Sequence, residues 1–187
     1  AYFEIASSQQ VIAILSKNCA HWLMADFAIW LAGHVSVPLY PTLAAGTIRQ
    51  ILEHSEARLL FVGKLDGWDA MKPGIPDTLP CIATPLAPRT DYPSWEAIVS
   101  ATGPLRGEPL RDGAELATIM YTSGTTGMPK GVMHSFAGFA WSMQTALKRL
   151  HFERVDSLDL DAGPDDAATH DTVDVSSTLH AALDLMV

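Results

Sequence analysis

Residues 11–62 read VIAILSKNCAHWLMADFAIWLAGHVSVPLYPTLAAGTIRQILEHSEARLLFV. Val11 to Leu15 is a continuous apolar run, the pattern of a short strand covered on both faces. Ala20 to Gly33 is a helical segment that is apolar almost all round, and Asn18 is placed to cap its start. His34 to Leu39 reads as a second short strand, with Pro38 and Pro41 as its stop. Thr47 to Ser55 repeats its apolar residues at helical spacing through Ile48, Ile51 and Leu52. Leu59 to Val62 is a third buried strand, ended by Gly63. Strand, helix, strand, helix, strand at these intervals predicts parallel pairing through right-handed crossovers. The expected class is α/β, a parallel sheet flanked by helices.

Alternation continues downstream. Residues 73–113 are rich in Pro and read as surface connection, with one short helix from Ser94 to Val99 capped by the serine. Leu116 to Tyr121 is a strand, Thr122 to Lys130 a loop, Gly131 to His134 a short strand, and Phe136 to Leu150 a helix. Trp22, Trp30, Trp68, Trp95 and Trp141 are expected in the core.

The chain has 187 residues, with 12 Lys+Arg and 21 Asp+Glu for a net charge of −9. Nucleic-acid and anionic-membrane surfaces need clustered cations, so this balance argues against both. The most apolar stretch, Trp22 to Gly33, is too short and too interrupted by Asp26 to cross a bilayer. Two cysteines, Cys19 and Cys81, cannot build a disulfide framework, and the His spacing matches no common metal motif. The reading is a cytoplasmic protein, with peripheral membrane contact left open.

The segment Tyr121-Thr122-Ser123-Gly124-Thr125-Thr126-Gly127-Met128-Pro129-Lys130-Gly131 sets hydroxyls, glycines and one lysine between two strands. Glycines let backbone N–H groups approach a ligand, successive N–H groups form an anion-holding concavity, and Lys130 adds charge. A bare Gly/Ser/Thr turn is the plain alternative, but this loop comes after a buried strand, where ligands settle in open α/β sheets. The Walker-A pattern fails on three counts. Pro129 stands where its second glycine belongs, Gly131 succeeds the lysine in place of Ser or Thr, and strand rather than helix comes next. That disfavours a P-loop phosphotransferase.

YTSGTTGMPKGVMHS, residues 121–135, closely resembles the phosphate-binding signature of the adenylate-forming ligases, the superfamily of acyl-CoA synthetases, luciferases and peptide-synthetase adenylation domains. Residues 13–63, above all VPLYPT (37–42) and ILEHSEARLLFV (51–62), are similar to the N-terminal region of long-chain fatty-acid–CoA ligases. The resemblance covers residues 8–152. It implies that Thr122, Ser123, Gly124, Thr125, Thr126, Gly127 and Lys130 enfold the β- and γ-phosphates of ATP, with Mg²⁺ reached by a loop hydroxyl that is left open. It implies an acid activated first to its adenylate and then passed to coenzyme A. The substrates so implied are a fatty acid, ATP and CoA. His134 is a candidate neighbour of the acyl site, with a hydrogen-bonded structural histidine as the alternative.

Residues 1–152 are therefore expected to form part of an AMP-binding domain. Residues 153–187 form an acidic, irregular end that does not look family-like. Residues 151–187 hold nine acidic side chains against Arg154 and no aromatic after Phe152. A frameshifted or chimeric end, a divergent member and a fragment all remain open as its origin. The family's later motifs do not occur in this chain, its catalytic lysine among them, and Lys130 is not that lysine. A non-catalytic fragment with weak nucleotide binding, or a ligase for a different acid, are the competing readings.

Overall fold

The computed structural model describes residues 9–103, 111–122 and 129–149. The acidic end beyond residue 152 lies outside them. The elements are β1 (Val11–Leu15), α1 (Ala20–Leu31), β2 (Val35–Leu39), α2 (Ala45–His54), β3 (Leu59–Val62), α3 (Trp68–Met71) and β4 (Cys81–Ala83), then α4 (Trp95–Ala101), β5 (Leu116–Thr122), β6 (Lys130–Ser135) and α5 (Phe136–Arg149). The six strands form one sheet in the order β4-β3-β1-β2-β5-β6. All neighbours are parallel except β5 and β6, which pair as an antiparallel hairpin.

Side-chain alternation splits the core into two layers. Ala13 and Leu15 of β1 face one side with Val35, Val37, Ile48, Ile51 and Leu52, so α2 covers that face. Ile12 and Ile14 face the other side with Phe61, Ala25, Ala28, Ile29 and Trp95, the layer of α1 and α4. The connection from β1 to β2 runs one way along the sheet, and the next runs back across β1 to β3. Crossovers of a single hand must then put α1 and α2 on opposite faces, as found.

Several boundaries differ from the sequence reading. Cys19, not Asn18, precedes the first turn of α1, and no side chain caps that end. Gly33, at φ +85°, turns the chain out of α1 in a conformation that L side chains rarely adopt. Arg111 Nη1 donates to Trp30 O at 3.1 Å, placing a cation at the carbonyl end of that helix. Pro38 does not stop β2 but sits inside it, opposite Ile14 of β1. Val35 N donates to Gln10 O, so odd-numbered N–H groups of β2 point toward β1 and even-numbered positions toward β5. The missing N–H of Pro38 thus falls on the β5 side, where the register is Ser36 opposite Thr118 alone. Thr118 Oγ1 adds a side-chain bond there, donating to Ser36 O at 3.0 Å.

The connection after β3 holds α3 and the edge strand β4, neither of which was expected. Ser94 caps α4 as expected, its Oγ accepting from Ala97 N at 3.2 Å. Trp68 and Trp95 are buried, while Trp22 and Trp30 pack half-buried against the α1 layer. Trp141 on α5 departs from the expectation of a core position: it is 69% exposed.

Candidate functional site

The hairpin of β5 and β6 carries the loop of interest. Thr122 ends β5 and lies opposite Lys130, the first residue of β6; Tyr121 lies opposite Gly131 one step earlier. Antiparallel pairing therefore clamps the two ends of the loop together, with Thr122 and Lys130 both exposed at its base. Ser123, Gly124, Thr125, Thr126 and Gly127 lie outside the described residues.

Topology puts this base at a natural binding position. The carboxyl end of β2 stands beside that of β5, and the chain leaves the two strands in opposite directions. β2 feeds α2 and returns across β1, whereas β5 turns outward into β6. Such a divergence opens a crevice at the carboxyl ends of the strands. A cavity of about 220 Å³ occupies it, walled by Leu39, Tyr40, Ile51, Tyr121, Thr122 and Pro129, among others. A larger cleft of about 640 Å³ lies between α2 and residues 76–80, bordered by Arg49, Glu53 and Arg58. None of its lining residues lines the crevice, although α2 borders both.

His134 lies on β6 opposite Thr118 and is half-buried. It lies four residue steps along the strand from Lys130, roughly 13 Å at the usual rise, so it stands well down the hairpin from the loop's base. Two residues that the sequence reading did not single out lie nearer. Tyr121 is only 6% exposed, and its hydroxyl lies 2.7 Å from Nδ1 of His54, the last residue of α2. The two rings meet edge to face, with centroids 5.7 Å apart. Burial pushes the Tyr121 phenol above its usual range, which keeps its proton available for this bond. Nothing in the sequence links positions 67 residues apart, so only the fold reveals the pair.

The donor set at the base of the loop suits a phosphate. It combines a lysine side chain, a threonine hydroxyl and strand ends that open away from the sheet. Among the described residues there is no group of three or more His, Cys, Asp or Glu that could hold a metal ion. No helix among the described residues is long and apolar enough to cross a membrane.

A mostly parallel sheet with helices on both faces, and a crevice where its strands diverge, defines an α/β domain of the kind that takes ligands at its strand ends. The family is specific: the profile of the AMP-binding enzymes matches residues 5–170, and the chain belongs to that family. Among curated relatives, long chain acyl-CoA synthetase 5 of Arabidopsis thaliana is 32% identical over 137 residues, covering 65% of this chain and 20% of the relative. The 2-succinylbenzoate–CoA ligase of Oceanobacillus iheyensis is 30% identical over 141 residues, covering 74% of this chain and 26% of the relative. The chain thus spans about a fifth to a quarter of these relatives' length. The crystal structure of the anthranilate CoA ligase AuaEII in complex with anthranoyl-AMP shares the fold, with a TM-score of 0.61 at 23% identity over 73% of this chain and 27% of that one.

Proposed function

We propose that this chain is the front part of an ATP-dependent acid–thiol ligase whose residues 122–130 hold the phosphates of ATP. The carrying observation is the hairpin register, which sets Lys130 opposite Thr122, a wall of the crevice where β2 and β5 diverge. In the reaction, a carboxylate attacks the α-phosphorus of ATP. The bond to the bridging oxygen breaks, and pyrophosphate departs with that electron pair. The thiol of coenzyme A then displaces AMP from the acyl-adenylate. The role of this segment is electrostatic: Lys130, with Thr122, Ser123, Gly124, Thr125, Thr126 and Gly127, meets charge that grows on the departing pyrophosphate. Mg²⁺, when bound with ATP, neutralises part of the same charge.

A long-chain fatty acid is the acid we favour, supported by the similarity to plant long chain acyl-CoA synthetase and by the VPLYPT and ILEHSEARLLFV segments. The similarity to a 2-succinylbenzoate–CoA ligase supports an aromatic acid as the second reading. On this proposal residues 1–152 are the part that resembles these ligases most and 153–187 an acidic end, although the family match runs on to residue 170, and the setting is cytoplasmic. His134 is kept as a neighbour of the acyl site.

The test is Lys130→Ala in the full-length ligase carrying this segment. Loss of one electrostatic stabiliser should lower acid-dependent exchange of pyrophosphate into ATP by roughly one to three decades. Exchange at the wild-type rate would remove the phosphate assignment. A panel of long-chain and aromatic acids in the same assay separates the two substrate readings.

A further inference from the structure

We infer that Tyr121 and His54 are positioning residues that set the geometry of the phosphate loop from beneath it, an inference that rests on the loop's proposed role. β6 pairs with β5 as the last strand pair of the described sheet. Tyr121 ties this hairpin to the rest of the fold. Its ring covers Gly131 on the facing strand, and a Cβ there would lie 3.2 Å from Tyr121 Cζ and 2.8 Å from Ile119 Cγ2. Glycine is thus what allows the ring to lie across the hairpin. The far end of the ring is tied to α2 by the 2.7 Å bond to His54, so the hairpin is anchored to the helix layer one residue before the loop begins. The next pair out is Thr122 and Lys130, the two feet of the loop. Any change of twist at Tyr121 is passed directly to them.

Neither side chain reaches the phosphates on this reading; both act through the strands. Removing the phenol oxygen, or its partner, therefore loosens the loop without removing any group that meets ATP. Losing one such hydrogen bond should raise the KM for ATP by about 2–10-fold, with the KM for the acid unchanged. A merely structural role predicts a different result, a smaller active fraction with a lower apparent kcat and both KM values unaltered.

Steady-state kinetics on the full-length ligase test this, with Tyr121→Phe, His54→Ala, His54→Asn and Lys130→Ala compared in parallel. Tyr121→Phe and His54→Ala should show the ATP-specific rise in KM. His54→Asn offers a polar atom near the position of Nδ1 and should return the KM to within about twofold of wild type. If Tyr121→Phe leaves the ATP KM unchanged while Lys130→Ala still impairs pyrophosphate exchange, the positioning role is wrong and the phosphate reading stands. If Lys130→Ala is also without effect, both fall. Should His54→Ala not fold, Tyr121→Phe carries the test, since it removes one oxygen and keeps the packed ring.

Discussion

Asp26 sits on the helix face that α1 turns to the sheet and is 6% exposed. Among the described residues its Oδ1 finds no hydrogen-bond partner. Burial pushes the carboxyl up from 3.8 to about 6, with the Ser36 hydroxyl pulling the other way. Between about pH 4 and pH 6 the unfolded chain has lost this proton while the folded one keeps it. Unfolding then releases a proton, so stability falls as pH rises through that window and levels off above it. The full effect is about 3 kcal/mol from the size of the shift. Asp26→Asn removes the titration, and the variant should gain about 1–3 kcal/mol over wild type at about pH 7.5 and only about a third as much at about pH 4.5. His34 opposes the trend, because burial and Arg111 lower its pKa. Taking variant minus wild type in urea titrations at each pH cancels that background. Equal differences at the two pH values would show that the carboxyl is not perturbed.

Elements carried by their own residues were legible in the chain. The buried runs at 11–15 and 59–62 became β1 and β3 with their expected ends, because nothing but a doubly covered strand suits so short an unbroken apolar run. Ser94 was legible for a different reason, since a serine before Trp95 and Glu96 offers its hydroxyl to an unpaired N–H of the first turn. Ser94→Ala should cost about 1 kcal/mol of stability, read as a shift in the urea midpoint at constant slope. No change would mean that water replaces the cap. The three-residue β4 was not legible, because pairing with β3 rather than its own pattern makes it a strand. Pro38 misled for a related reason: proline stops a strand only where its N–H is needed, and that depends on which neighbour lies alongside. For the candidate site, the loop could be read from composition and spacing. The crevice beneath it and the Tyr121–His54 bond could not, since both arise from strand order and from helix packing over long separations.

At the scale of the whole molecule, the question is what this chain achieves as a separate polypeptide. It holds the base of one loop, to which we assign the phosphates only as a proposal, and it spans about a fifth to a quarter of its relatives' length. Adenylation needs adenine, ribose, phosphates and the acid held together in one geometry, and such positioning is worth about 7–11 kcal/mol of barrier. A loop alone cannot supply that. The outer hairpin also presents Met120 and Val132 to solvent on one face and Met133 on the other, beside what is a strand edge among the described residues, and Trp141 is exposed on α5. Exposed edges of this kind invite pairing with other chains, so the purified polypeptide should self-associate, seen as concentration-dependent light scattering. Given ATP, Mg²⁺, a long-chain fatty acid and coenzyme A, it should release no AMP above the no-protein rate. Turnover that Lys130→Ala abolishes would overturn this expectation, because it would show that the chain brings every reactant into register by itself.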